Sequence, residues 1–138
     1  MPIKVVIDTN VFVSALYLPE SRPGELVLLA RRKKIVNCTS HQIVAEIERI
    51  LQKKLGWDQD RARSAVRQIM NFSEMVNTEE RLNVINDDAD NRLLECAVAS
   101  RAEFIISGDK HLLGLKAYQG ISIITPGAFL DSYSPQKG

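Results

Sequence analysis

The stretch Ile3–Asn10, IKVVIDTN, decides how the rest of the chain is read. Ile3 to Ile7 are β-branched at every position but Lys4, and such an apolar run fits a strand covered on both faces in a parallel sheet. The run ends abruptly in an acid, a hydroxyl and an amide. Asp8 therefore stands at a strand's carboxyl end, the edge where loops splay apart in open α/β sheets and ligands bind. Asp8 or Asn10 has a plainer use as well, as a cap for the helix that VFVSALY begins. Whether Asp8 is more than a cap turns on whether other acids reach the same edge.

Outward from that strand, turn and cap signals cut the chain into alternating units. The loop LPESRPG leads to ELVLLARRKK, an amphipathic helix ending in a basic run, where cations offset the helix dipole. IVNCTS reads as a strand, and HQIVAEIERILQKKLG as a long helix closed by Gly56, with Lys53 and Lys54 in its last turn. DQDRARSAVRQIMNFSEM predicts a further helix capped near Asp58, and LNVI is a candidate strand. NDDADNRLLECAVASR opens on an acidic cap cluster and continues at helical spacing. EFIIS is a strand by its β-branched and aromatic content, and GISIIT with PGAFLDSY predicts a last strand and a short helix. Strands alternating with helices imply βαβ units, hence a three-layer α/β/α sandwich with a mainly parallel central sheet. Residues 1–133 form one domain on this view, and only SPQKG, 134–138, looks like a flexible, disposable tail.

Size and composition agree with one domain. A chain of 138 residues buries about two thirds of its unfolded surface around a single core. With 45% hydrophobic and 25% charged residues it has the balance of a soluble globular protein. No apolar run approaches the ~18 residues of a membrane span. No signal peptide is visible either, so a cytoplasmic protein is expected. Eighteen basic against seventeen acidic residues give a net charge of +1, so any case for a polyanionic partner must be local. Cys38 and Cys96 lack CxxC spacing, and His41 and His111 do not complete a zinc set; reduced, buried thiols are expected.

Further acids do reach the edge. EFIIS is followed by Gly108 and Asp109, repeating the arrangement at Asp8, and the cluster Asp87, Asp88, Asp90 opens a helix that starts at the same edge. One of these three suffices as a cap. In the helix after IVNCTS, Glu46 and Glu48 flank the apolar stripe of Ile43, Val44, Ile47, Ile50 and Leu51 on opposite sides, and periodicity does not choose between them. Gathered carboxylates raise one another's pKa unless a cation removes the conflict. A hard divalent ion such as Mg²⁺ or Mn²⁺ favours this donor chemistry and could activate water or stabilise charge on a phosphodiester. The acids alone leave phosphoryl chemistry and metal-dependent signalling both open.

Taken in order, VVIDTNVFVSAL, TSHQIVAEIERIL, DDADNRLLECAVASRAEFIISGDKHLL and ITPGAFL resemble the PIN-domain ribonucleases, in particular the VapC-like toxins of bacterial and archaeal toxin–antitoxin pairs. The resemblance spans essentially the whole chain. It implies a PIN-like fold, cleavage of single-stranded RNA with Mg²⁺ or Mn²⁺, a cognate antitoxin protein and a homodimer, to which ELVLLARRKK and RARSAVRQIM could contribute apolar surface. Asp8, Asp90 and Asp109 match the family's first, third and fourth acids. The second follows a Ser or Thr at a helix start, which Glu46, six positions after Ser40, matches better than Glu48. These four are the expected metal-holding and catalytic residues. Thr9, Asn10 and Ser107, the last where a threonine is frequent, would orient the carboxylates by hydrogen bonds. Arg92 and Lys110 are candidate phosphate contacts. His111 departs from the pattern, since many relatives carry an acid there; it is expected to alter metal affinity or substrate contact without abolishing activity.

Two other classes compete. A phosphorylated receiver domain would place paired acids near the first strand's end and a lysine after the last strand, where this chain has Asp8-Thr9-Asn10 and Ile124-Thr125-Pro126. A PIN-like module that only binds RNA or a partner protein would keep the fold without the cleavage.

Overall fold

The computed structural model describes residues 2–133, so the tail expected at 134–138 lies outside the described residues. Among them the chain runs β1 (Lys4–Ile7), α1 (Thr9–Tyr17), α2 (Arg22–Arg31), β2 (Val36–Thr39), α3 (His41–Leu55), α4 (Gln59–Phe72), β3 (Glu74–Met75), α5 (Asp88–Ser100), β4 (Phe104–Ile106), α6 (Lys110–Leu115), β5 (Ala117–Tyr118), β6 (Ile121–Ile124) and α7 (Pro126–Ser132). The strands form one sheet in the order β3-β2-β1-β4-β6-β5, parallel throughout except for β5 at one edge. This is the expected α/β architecture. Val5, Val6, Ile105 and Ile106 are wholly buried, as central parallel strands with helices on both faces require. Each such side chain contributes about 1.5–3 kcal/mol by leaving water.

The topology and the register together make the site's frame. From β1 the chain crosses first to β2 and β3 on one side, then to β4 and β6 on the other, so β1 and β4 flank a topological switch point. Ile7 pairs with Ile106, and Ile106 with Ile124, which brings the three central carboxyl ends level. On the other side of β1 the register pairs Val5 with Asn37. Beyond it the buried Asn37 side chain takes over, accepting from the Ile7 amide at 3.1 Å and donating to Ser73 Oγ at 2.9 Å.

Several boundaries differ from the sequence expectation. Helix α2 starts at Arg22, inside the stretch predicted as loop, because Ser21 caps it and Pro23 sits in its first turn, where a missing N–H costs nothing. Gly24 is needed there, since an added Cβ would lie 2.0 Å from the Pro19 carbonyl oxygen. The helix ends at Arg31, so Arg32, Lys33 and Lys34 fall beyond it, with Lys33 in the left-handed region (φ 58°). Helix α4 stops at Phe72, and Glu74–Met75 form an edge strand on β2 instead of a last helical turn. LNVI, residues 82–85, is not a strand: side chains of α5 bind its amides, Glu95 Oε2 that of Leu82 and Asn91 Oδ1 those of Val84 and Ile85. Residues 110–118, left without elements by the sequence, hold α6 and β5.

Of the two helices expected to offer interface surface, α4 spends its apolar positions Ala62, Val66 and Ile69 on the protein's own core. Apolar exposure lies instead at Leu28 of α2, at Tyr17 and Leu18 beside it, and at Val84 in the segment before α5. Cys38 and Cys96 are free and buried, and burial pushes the Cys96 thiol up to about 12. Among the described residues no helix is long and apolar enough to cross a membrane.

Candidate active site

Asp8 leaves β1 with its amide bound to the Ile106 carbonyl at 3.0 Å and enters the cap position of α1, yet its carboxylate makes no capping hydrogen bond. The plain cap explanation therefore does not account for it. Its Oδ2 instead accepts from Ser107 Oγ at 2.6 Å, and the same Oγ accepts from the Asp109 amide at 3.0 Å. One hydroxyl at the end of β4 thus ties the acid after β1 to the turn that carries the acid after β4. Asp8 is 4% exposed. Burial raises its pKa; the Ser107 bond opposes that, the nearby amides of Asn10 and Thr9 favour the charge, and Asp109 adds to the rise. Thr9 is buried beside it, whereas Asn10 is exposed.

The acidic start of α5 divides its labour. Asp87 is the cap, its Oδ1 accepting from the amides of Ala89 (2.8 Å) and Asp90 (3.2 Å), and Asp88 is exposed. Asp90 points inward, is 6% exposed, and its Oδ2 is buried with no hydrogen-bond partner. Its pKa is pushed up to about 7, first by burial and then by the charges of Asp109, Asp87 and Asp8, with His111 acting the other way. Asp109 caps α6 through Oδ1, which accepts from the amides of His111 (2.7 Å) and Leu112 (3.3 Å). The His111 ring is 84% exposed, with Nδ1 3.5 Å from the same oxygen.

Asp8, Asp90 and Asp109 therefore share one electrostatic neighbourhood. Glu46 does not join it in this arrangement: Arg49 binds both its oxygens, Nε to Oε2 at 3.2 Å and Nη2 to Oε1. Glu48, on the other flank of α3, faces Arg63 of α4 at 3.9 Å. The donor set, carboxylate oxygens with one of them buried and unpartnered, fits a hard divalent ion. Among the described residues, however, no three His, Cys, Asp or Glu side chains are arranged to hold a metal as they stand. An ion would have to draw them together.

The two cationic candidates part ways. Lys110 is exposed at the start of α6. The Arg92 side chain is only 11% exposed, bound to Glu95 at 2.8 Å and to the Leu82 carbonyl at 3.2 Å. It is an internal tie for the segment before α5, and the expectation of a phosphate contact there does not suit its position. Sequence reasoning passed over Arg22. With Pro23, Pro126, Gly108, Asn10 and Asp109 it lines a cleft of about 390 Å³ beside the acids. Its signal was a lone cation within ESRPG, a stretch that looked like an ordinary loop.

Comparison with known proteins bears on the family and the fold. A family model described as PIN domain matches residues 4–111. The uncharacterised protein MJ1680 of Methanocaldococcus jannaschii is 40% identical over 119 residues, covering 83% of this chain and 76% of that one. Among solved structures, VapBC2 from Rickettsia felis, bound to a DNA fragment from its promoter, superposes with a TM-score of 0.62 at 17% identity, covering 88% of this chain and 97% of the other. PAE2754 from Pyrobaculum aerophilum gives 0.62 at 11% identity, covering 94% and 88%. The PIN domain endonuclease Utp24 gives 0.56 at 23% identity, covering 88% and 84%.

Proposed function

The chain belongs to the PIN-domain family, and on that premise we propose that it is an endoribonuclease that hydrolyses phosphodiester bonds in single-stranded RNA with Mg²⁺ or Mn²⁺. PIN domains are in general nucleases; the metal, the RNA substrate and the residue roles are the proposal. The observation that carries it is the Ser107 bridge from Asp8 to the Asp109 turn, with Asp90 beside it keeping a buried oxygen unpartnered. Asp8, Asp90 and Asp109 would hold the ion, joined by Glu46 on release from Arg49. Bound there, the ion would offset the repulsion among the carboxylates, stabilise charge developing on the phosphodiester and favour ionisation of the attacking water.

The chain's own groups prepare that chemistry. Ser107 donates to Asp8 and favours its charged form, against the cost of burial. The amides of His111 and Leu112 fix Asp109 through Oδ1, and its Oδ2 lies outside those bonds. Thr9 and Asn10 continue the Asp8 turn into α1, and exposed Lys110 stands next to Asp109 where a phosphate could meet it. We assign the protein further to the cytoplasm as the toxin of a toxin–antitoxin pair, a homodimer restrained by a cognate antitoxin protein; the likeness in fold to VapBC2 supports the antitoxin partner alone.

A second reading, a non-catalytic PIN-like module that binds RNA or protein, draws support from Glu46 being held by Arg49 and from the open spacing of the acids. An incubation of purified protein with a panel of single-stranded RNAs separates the two. Cleavage with Mn²⁺ or Mg²⁺ that EDTA stops and added Mn²⁺ restores is expected. If every RNA stays intact with either ion, and expression leaves cell growth unchanged, the binding module is the better account.

A further inference from the structure

The cleft beside the acids joins two kinds of surface. Asn10 and Asp109 come from the acid edge, while Arg22 and Pro23 start α2 and Pro126 and Gly127 start α7. Its volume of about 390 Å³ falls in the range that holds small ligands. Arg22 is held across it: Nη2 donates both to the Gly127 carbonyl at 3.0 Å and to Asp131 Oδ1 at 2.6 Å. Both bonds leave from one nitrogen, and the side chain stays 49% exposed, so the rest of the guanidinium fork is available to an anion. The cleft is open where it lacks side chains, since a Cβ added at Gly108 or Gly127 would meet nothing within 4 Å.

From this juxtaposition we propose that the cleft is the subsite for the nucleotide adjoining the scissile phosphate, with Arg22 contacting that nucleotide's phosphate. The inference rests on the nuclease function proposed above. A strand whose reacting phosphate lies at Asp8, Asp90 and Asp109 has a neighbouring residue on each side, and this cleft, which shares Asp109 with the acids, is open to one of them. The next phosphate needs a cation to offset the acidic edge, and Arg22 supplies one with fork geometry suited to phosphate oxygens. The part-exposed ring of Pro23 offers apolar surface for sugar or base. A protein segment would fit the proline surface but would meet Arg22 only if it carried an acidic side chain, whereas every nucleotide brings a phosphate.

The test measures binding of a labelled single-stranded RNA by fluorescence anisotropy in Mg²⁺, all proteins carrying Asp90→Asn to suppress cleavage. Arg22→Gln should weaken binding about tenfold and lower the slope of log affinity against log salt by about 0.7, one phosphate contact on a single strand. On the active background it should raise KM and largely spare kcat. The Mn²⁺-induced rise in melting temperature should be unchanged. Gly127→Leu, which fills the cleft and leaves Arg22 in place, should weaken RNA binding too. Asp131→Asn controls for structural damage: it breaks the same ion pair but keeps the cation, and RNA affinity should hold or increase. The proposal is overturned if Arg22→Gln leaves affinity and salt slope as they are, if Asp131→Asn weakens binding as much as Arg22→Gln, or if only a protein partner's binding responds. Failure of the wild-type protein itself to bind or cut RNA would instead sink the nuclease function, so the two failures are distinguishable.

Discussion

At the scale of single residues, Ser107 and Asp90 carry the most specific consequences. Ser107→Ala removes the bond that offsets the burial of Asp8 and should cost roughly 1.5–3 kcal/mol at neutral pH, read as a lower melting temperature, whereas Ser107→Thr should preserve it. Asp90 has a pKa pushed from 3.8 to about 7 in the metal-free protein. Between those values the folded chain holds a proton that the unfolded chain has released, so metal-free stability should fall as pH rises toward 7. Asp90→Asn should flatten that fall and raise the melting temperature at about pH 8. A metal ion prefers the ionised carboxylate, so stabilisation by Mn²⁺ should grow over the same interval. Parallel curves for the wild type and Asp90→Asn would remove Asp90 from the account. The choice of Glu46 over Glu48 came from a resemblance at a helix start and not from periodicity. In the structure each glutamate has an arginine partner, Glu46 with Arg49 and Glu48 with Arg63. If the register from Ser40 is right, Glu46→Gln weakens the Mn²⁺ response and Glu48→Gln leaves it near normal.

At the scale of elements, legibility followed the source of each backbone hydrogen bond. Helices α3 and α5 and the central strands could be read because local signals agree with tertiary packing: Ser40 caps α3 and left-handed Gly56 closes it, and Asp87 caps α5. The start of α2 is hidden because proline and glycine usually signal a loop, although proline fits a helix's first turn and Gly24 is set there by the close approach of Pro19. Gly24→Ala tests the close approach to Pro19 and should destabilise by about 1–3 kcal/mol, the cost of forcing an added methyl into a packed site. Residues 82–85 have strand-like composition, but nothing local reveals that Asn91 and Glu95 will bind their amides. Asn91→Ala should therefore destabilise by roughly 2–4 kcal/mol, because two amides and the Ile85 carbonyl lose their partner together. Chemical denaturation of each variant checks both values. The edge strands β3 and β5, two residues each, were invisible to periodicity for want of length.

At the scale of the whole molecule, a nearly neutral chain brings Asp8, Asp90 and Asp109 together at one topological switch point, a position that strand order and register create and composition does not reveal. That Asp8 and Asp109 meet at the sheet's edge could be foreseen from two apolar runs each followed by an acid. The resemblance marks Ser107 as orienting the carboxylates, but its bridge from Asp8 to the Asp109 turn and the stand of Arg22 across the neighbouring cleft depend on contacts between residues far apart in the chain, and Arg92 turns inward onto Glu95 and the Leu82 carbonyl. Assembly is a further property at this scale. Leu28, Tyr17 and Leu18 leave apolar surface exposed on α1, α2 and their junction, and light scattering at micromolar concentration should give a dimer; a monomer throughout would count against the proposed homodimer. The proposed metal-dependent RNA hydrolysis by these carboxylates is tested by single-turnover cleavage of a labelled single-stranded RNA in Mn²⁺. Asp8→Asn, Asp90→Asn, Asp109→Asn and Glu46→Gln should each fall by about a hundredfold or more while remaining folded, and Glu48→Gln should cut at near the wild-type rate. Undiminished cleavage by folded Asp8→Asn, Asp90→Asn and Asp109→Asn would contradict it.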